Sequence, residues 1–267
     1  MGELLPNFKF KGSIGDFTAY EDPTTGKITI QSKGGASAEK IHNDPGFVNT
    51  RRTNYEFSGM SSASKAFRRA MGFTWKLSDY RIGSTLTGLM REFQFLDTTS
   101  PWGQRSVLIS KDKSWLEGLQ ISRKNSFDQV LRSPVDVSLS RNDLTATIQL
   151  SAIVPGGNFF SVFGSNYCQW FFVLGVVPDF QYNREYVYEP VQGYIPVDPV
   201  SFQTDWQELA SSFQPQTIQL QLNAAPLSLI EPASLVCTVA LRFGTSHRRT
   251  GIEPIRYAAS GKIMAIA

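Results

Sequence analysis

Residues 37–71 read SAEKIHNDPGFVNTRRTNYEFSGMSSASKAFRRAM. This stretch combines a helical pattern, a dense positive charge and a run of small residues, which no other long segment of the sequence does. Short strand-like segments precede it, and a long strand-rich body follows it. The stretch therefore predicts the joint between two β-rich parts of the chain.

Capping residues indicate where the helices of this stretch begin. Ser37 is placed to cap a short helix through Ile41. Asp44 followed by Pro45 predicts a second start, because a carboxylate accepts the first free N–H groups of a helix and proline fits its first turn. Gly59 lies within the small residues 58–64, and this run predicts a break or a kink.

Beyond the small-residue run the pattern is amphipathic. Apolar residues at helical spacing form one stripe: Ala63, Ala66, Phe67, Ala70 and Met71. Gly72 fits the position just past a helix end. A further helix is predicted from Ser78 or Asp79 to near Asp97. Its apolar residues recur at the same spacing: Ile82, Leu86, Leu89, Met90 and Phe93.

On the N-terminal side, residues 7–32 predict two or three short strands. Phe8 and Phe10 alternate with lysines, and Ile28 and Ile30 alternate with polar residues after a Pro- and Gly-containing turn at residues 22–26. A hairpin this small is not stable alone. It must pack on its own chain or on a neighbouring one.

From Val135 onward the apolar pattern changes to a period of two, which is typical of half-buried antiparallel strands. Residues 167–177 are apolar almost throughout and predict a central strand covered on both faces. We therefore predict a mainly β chain with a helical insert (α+β), ending in an antiparallel β-sandwich. The predicted segments are a hairpin arm (1–35), a helical segment (36–104) and a sandwich body (105–267).

The composition is that of a folded protein with few charges. The chain has 267 residues, 12% of them aromatic and 18% charged, and a net charge of +3, which is too small to indicate nucleic acid by itself. Cys168 and Cys237 lie in apolar runs and are interpreted as buried hydrophobic residues, with a disulfide left open. The sequence shows no signal peptide or membrane span, so we expect a cytoplasmic protein or part of a released particle.

The sequence carries no recognisable catalytic pattern. His42 and His247 lie in polar surroundings without a serine- or cysteine-centred motif beside them. Nucleophilic catalysis needs a base next to its nucleophile, and a zinc site needs several Cys and His residues at short spacing. We therefore expect no enzyme activity, no catalytic residues, no metal and no cofactor.

Two groups of residues are candidates for binding a partner. The basic group on the helical stretch is Arg51, Arg52, Lys65, Arg68 and Arg69. It is interpreted as a solvated helix face, a face for an acidic partner or, with least support, a nucleic-acid site. The aromatic group in the loop 180–188 is Tyr182, Tyr186 and Tyr188.

Acidic residues flank that loop: Asp179, Glu185 and Glu189. Paired carboxylates serve acid–base chemistry in glycosidases, but no spacing rule connects these three. Solvated charges on a tyrosine-rich strand are the simpler interpretation. An aromatic surface for a glycan is the alternative.

The opening of the chain resembles an uncharacterised group of proteins from Bacteroidota genomes. The resemblance is carried by residues 12–20, the Lys-Gly-Gly turn at 33–35, the segment IHNDPGF at 41–47 and the Thr-Arg pair at 50–51. It covers about a quarter of the chain and departs from the group's pattern at residues 58–67. It implies a source phylum and assigns no activity.

Two classes of function remain. The first is a structural protein that self-assembles into a homo-oligomer such as a filament, a tube or a phage-like particle. Low charge, many aromatic residues and strands at both termini favour it. The second is a binding module that uses the aromatic loop or the basic helix face for a glycan, an acidic protein or nucleic acid. We expect the first, with the protein itself as partner and no membrane.

Overall fold

The structure, a computed structural model, describes residues 10–22, 25–32, 34–162, 164–185, 187–223, 232–247 and 251–267. The chain is mainly β, with 38% strand and 24% helix, and its sheets are antiparallel. This confirms the predicted α+β fold with a helical insert. The chain divides into two compact units, Met1–Arg51 and Arg52–Ala267. The predicted three-segment division stays a prediction.

The first unit contains a three-stranded antiparallel meander. Its strands are β1 (Gly12–Ile14), β2 (Phe17–Glu21) and β3 (Ile28–Ser32), in that spatial order. The prediction of two or three short strands is confirmed for the described residues, while Phe8 lies outside them. Helix α1 (Ala38–Asn43) follows the meander.

The predicted caps are confirmed. The Ser37 hydroxyl accepts a hydrogen bond from the Lys40 N–H at 3.2 Å, and the Asp44 carboxylate accepts one from the Gly46 N–H at 2.8 Å. Asp44 caps a 3-10 turn that leads directly into helix α2 (Val48–Ala70). The Arg51 guanidinium donates to the carbonyl oxygens of Ile41 and Asp44, at 2.7 and 2.9 Å, and so stabilises this turn.

A break at Gly59 is wrong, because α2 is one continuous helix of 23 residues, while the alternative, a kink, stays a prediction. The glycine instead permits a close contact. A Cβ atom at Gly59 would lie 2.6 Å from the ring of Tyr188, so that ring rests directly on the helix backbone. The helix tolerates the glycine because tertiary packing, and not intrinsic propensity, stabilises most protein helices.

Helix α3 (Ile82–Phe95) begins three residues later than the latest predicted start. Asp79 does not cap it. The Asp79 carboxylate accepts hydrogen bonds from the Ser122 hydroxyl and from the N–H groups of Arg123 and Lys124. These bonds tie the segment before α3 to a distant loop, an arrangement that local spacing does not reveal.

The second unit also contains short 3-10 turns at Thr74–Leu77 and Ile109–Lys111. The remaining described α-helix and strands belong to this unit. They are α4 (Phe127–Val130), β4 (Val135–Ser140), β5 (Thr145–Leu150), β6 (Tyr167–Pro178), β7 (Phe180–Tyr182), β8 (Tyr188–Pro190), β9 (Val200–Gln203), β10 (Gln207–Glu208), β11 (Gln216–Gln221), β12 (Ala233–His247) and β13 (Gly251–Ile266).

Strand β6 lies at the centre of the main sheet. It pairs with β12 on one side and with β9 and β10 on the other, and β13 pairs with the far side of β12. Every residue of β6 after Tyr167 is buried. The predicted central strand covered on both faces is therefore confirmed.

Two layers cover the two faces of this sheet. In β12, Leu235, Cys237 and Val239 join the core shared with the second sheet, β11–β5–β4. The alternate residues Val236 and Ala240 join the core shared with α2 and α3. Because successive side chains of a strand point to opposite faces, β12 packs one apolar face on the second sheet and the other on the helices.

Helix α2 lies on β6 at one point of very close approach. A Cβ atom on Gly175 would lie 2.2 Å from the carbonyl oxygen of Ala70. The helix presents Ala63, Phe67 and Ala70 to this core, which confirms the predicted stripe. Gly72 ends the helix with a positive φ of 56°, also as predicted.

We expect a Gly175→Ala variant to lose about 2 to 3 kcal/mol of unfolding free energy, because the added methyl group pushes the α2 backbone off the sheet. The control is Gly88→Ala on α3, where a Cβ atom would have no neighbour within 4 Å. That variant is expected to gain about 0.5 to 1 kcal/mol from helix propensity. Urea unfolding measures both, and equal effects would contradict the close approach.

Candidate functional site

A cavity of about 290 Å³ lies in the second unit between α2 and the β7–β8 hairpin. It is lined by Ser62, Lys65, Ala66, Arg69, Val176, Pro178, Phe180, Tyr188, Pro190, Tyr194, Pro196 and Val197. This volume is at the small end of the range of ligand pockets, roughly 300 to 1,000 Å³.

Helical spacing explains the wall that α2 contributes. Ser62, Lys65, Ala66 and Arg69 follow one another at i, i+3, i+4 and i+7 and so share one face of the helix. This face adjoins the buried stripe that packs on the sheet. The two small residues leave open space, and the two long cationic side chains reach solvent at the edge.

The buried part of the cavity wall is apolar, and the exposed part adds two cationic side chains. Val176, Phe180 and Tyr188 are buried, whereas Lys65 and Arg69 are exposed. The wall is also poor in hydrogen-bond donors, because the three prolines of the lining have no N–H group. The polar groups are therefore concentrated at the mouth.

Tyr188 is a wall of this cavity and not an exposed binding residue. It is 4% exposed, its ring lies 5.5 Å from that of Tyr182, and its hydroxyl donates to the carbonyl oxygen of Arg105 at 2.9 Å. Burial raises the pKa of Tyr188, and the charge of Glu56 adds to that rise. The phenol is therefore a neutral donor at physiological pH.

At the mouth, Arg69 donates a hydrogen bond to the Asp198 carboxylate at 2.6 Å. Tyr194 lines the same part of the cavity. Burial raises the pKa of Tyr194, although a backbone hydrogen bond at Val197 and the charge of Arg69 act against the rise. With both phenols neutral, Lys65, Arg69 and Asp198 leave one net positive charge at the mouth.

An ion pair behind the β7–β8 hairpin supports this wall. Arg105 donates to both carboxylate oxygens of Glu56, at 2.6 and 2.7 Å, and the Gly103 N–H donates to the same carboxylate at 2.9 Å. The hydrogen bond to Glu56 raises the pKa of Arg105. Because Glu56 is only 6% exposed, this carboxylate depends on its partners.

Asp97 organises the loop that carries Arg105. Its carboxylate accepts hydrogen bonds from the N–H groups of Thr99, Ser100 and Ser106. Burial alone would raise the pKa of Asp97, but these hydrogen bonds outweigh burial and hold that pKa well below its usual range.

The structure separates the predicted basic group. Lys65 and Arg69 meet at the cavity, together with Tyr188 from the predicted aromatic group. Arg68 lies apart, with its guanidinium 5.4 Å from the centre of the Trp75 ring. Arg52 lies 5.5 Å from the Trp102 ring, and Arg51 stabilises the turn before α2.

The predicted aromatic loop is a β-hairpin in the structure. Phe180 pairs with Pro190 and Tyr182 with Tyr188, while Tyr186 lies outside the described residues. Tyr182 packs near Tyr55 of α2, with ring centres 6.1 Å apart. The hairpin thus presents aromatic side chains to α2.

Asp179 is an internal anchor. Its carboxylate accepts hydrogen bonds from both the N–H and the hydroxyl of Ser110, at 2.9 and 2.7 Å. Burial raises the pKa of Asp179 even though the hydrogen bonds from Ser110 oppose the rise.

The prediction that Cys168 and Cys237 are buried is confirmed. Both are free thiols, and burial raises the pKa of each to about 12.

Sequence reasoning missed several residues of the site. The sequence patterns did not single out Pro178, Pro196, Tyr194 or Arg105 as site residues. The proline-rich spacing after β6 is a signal for a rigid loop that could have indicated a cavity wall. Arg105 had no such signal, because 49 residues separate it from Glu56.

Comparison of the chain with protein-family models, with curated proteins and with solved structures finds no match. Across the described ranges, no helix has the length and apolar character needed to cross a membrane.

We expect Arg105→Met to lose about 3 kcal/mol of unfolding free energy, because it leaves the Glu56 carboxylate buried without its cation. In the Arg105→Met variant, a further Glu56→Met change should lower the unfolding free energy much less than it does in the native chain. We expect this difference, the coupling free energy of the pair, to be at least about 1 kcal/mol. Urea unfolding of the four proteins measures the cycle. Additive losses would show that the pair is not coupled.

Asp97→Asn should make stability less sensitive to acid. Because the folded pKa is lowered, the contribution of Asp97 is complete above its unfolded pKa and is lost as the pH falls toward the folded pKa. From about pH 6 to pH 2, the variant should lose about 1 to 2 kcal/mol less than the native chain. Asp136→Asn, at an exposed strand position, is the control and should match the native chain.

Proposed function

We propose that the protein is a non-enzymatic structural protein that self-assembles through the sheet of its first unit. The exposed apolar face of β1, β2 and β3 carries this proposal. The occupant of that face is a second copy of the same chain, which presents the same face in return.

Strand register makes the meander two-sided. Ile14 pairs with Phe17, and Ala19 pairs with Ile30, so these four side chains lie on one face. The other face is mostly polar, with Tyr20 as its aromatic residue. It includes Ser13, Thr18, Thr29 and Gln31, with the Ser13 and Thr18 hydroxyls 3.2 Å apart.

Three large side chains of the apolar face are exposed. Ile14 is 59% exposed, Phe17 is 56% exposed and Ile30 is 39% exposed. With Phe10 and Ala19 they line a concavity of about 330 Å³. A small sheet needs a covered hydrophobic face for stability, so this face is expected to be covered in the functional state.

The charge pattern favours a second copy as the cover. The charged residue on this face, Glu21, is paired with Lys11 at one edge. A two-fold contact brings the same patch of two copies together, so a patch with excess charge would repel its copy. This face has no excess charge and can pack on its copy without that repulsion. Two such sheets would pack about 10 Å apart, as in a β-sandwich.

The proposed contact between two copies is small, and this limits the strength of their association. A three-stranded sheet offers less area than the 1,200 to 2,000 Å² total of a typical stable interface, so a single contact should be weak and concentration-dependent. A filament, tube or particle would need a second type of contact, and several weak contacts would then act together. The alternative, a binding module, is favoured by the cavity beside α2.

The test compares Ile30→Lys with Gln31→Lys. These neighbouring residues of β3 point to opposite faces, so the same charge is placed on the apolar face in one variant and on the polar face in the other. Sedimentation velocity over about 1 to 500 µM should show association of the native chain and of Gln31→Lys. Ile30→Lys should remain monomeric.

Two outcomes would overturn the proposal. Equal association of the two variants would place the contact elsewhere. A native chain that is monomeric throughout, but associates once residues 1–9 are removed, would show that its own N-terminal segment covers the face.

A further inference from the structure

We infer that the cavity between α2 and the β7–β8 hairpin binds a small amphipathic carboxylate, with one ring or short branched apolar body and one negative charge. This site is independent of the proposed self-association. The argument rests on the shape of the cavity, the placement of its donors and the charge at its mouth.

The interior selects an apolar body. Val176, Phe180 and Val197 are buried in its wall, and the rings of Pro178 and Tyr188 complete it. The Tyr188 hydroxyl is already bonded to the Arg105 carbonyl oxygen. A polar group placed deep in the cavity would therefore lose its water without gaining partners, which is costly.

The mouth selects a negative charge. Arg69 shares its charge with Asp198, whereas Lys65 forms no ion pair within the described parts of the chain. The lysine ammonium offers three donors on a flexible stem, so it can reach a carboxylate held at the mouth. A single net positive charge matches a monoanion better than a phosphate dianion.

The geometry also orients the ligand. The exposed part of the lining carries the cationic groups of Lys65 and Arg69, and its buried part is formed by apolar and aromatic side chains, among them Val176. Ligand sites commonly combine such an apolar lining with a few convergent polar groups. The apolar body would point toward β6, and the carboxylate would face Lys65 and Arg69.

Three probes with the same body and different charge test the inference: 3-phenylpropanoate, 3-phenylpropanamide and 3-phenylpropylamine. Titrations followed by protein NMR chemical shifts should show saturable binding of the acid. The shifts should centre on Ala66, Val176 and Tyr194. The neutral amide should bind about tenfold more weakly, and the amine more weakly still.

Variants separate the site from a general charge effect. Lys65→Gln should weaken binding of 3-phenylpropanoate about tenfold. Lys76→Gln removes the same charge from an exposed lysine outside the cavity and should leave binding unchanged. Ala66→Leu fills the cavity and should abolish binding. Thermal unfolding of each variant identifies any that fails to fold.

Several results would overturn the inference. These are equal affinities for acid and amide, equal effects of Lys65→Gln and Lys76→Gln, and no saturation by the acid up to about 20 mM. Lys65→Gln should leave sedimentation unchanged, so failure of this inference is distinguishable from failure of the self-association proposal.

Discussion

The contact between α2 and β6 is the constraint on which the rest of the second unit depends. Gly175 lacks a side chain where the carbonyl oxygen of Ala70 lies, so the helix backbone rests almost directly on the sheet. Ala63 and Phe67 then enter the same core. Because packed interiors tolerate little added volume, this depth of approach sets the position of every group that α2 carries.

A second glycine, Gly59, also allows a close approach to the α2 backbone, here at the cavity. Gly59 allows the Tyr188 ring to lie on the helix, and the β7–β8 hairpin is thereby brought beside Lys65 and Arg69. The ion pair with Glu56 holds Arg105 in place, and the carbonyl oxygen of Arg105 accepts the hydrogen bond from the Tyr188 hydroxyl. The cavity is thus built from close backbone packing, with a buried polar pair behind its wall.

The two proposed contacts depend on different interactions. The meander of the first unit offers an apolar face with balanced charge, which suits a copy of itself. The cavity of the second unit offers an apolar interior with an uncompensated lysine at its mouth, which suits a small anion. The two proposals concern different units of the chain and can be tested separately.

Local patterns in the sequence determined the elements of this fold. Period-two alternation identified the half-buried strands, an almost continuous apolar run identified β6, and Asp44 with Pro45 identified the turn that starts α2. Each depends on neighbouring residues, so each is visible without a structure. The start of α3 was missed because Asp79 is engaged by residues 122–124, far along the chain.

Only the tertiary structure decided what several of those residues do. Gly59 was expected to break or kink a helix, and in the structure the Tyr188 ring packs on it. Arg68 lies over the Trp75 ring and outside the cavity, although it is next to Arg69 in sequence. The sequence alone determined most of the strands, helices and caps, because these depend on the spacing of neighbouring residues. The structure decided the cavity and its charge, because these depend on which distant residues come together.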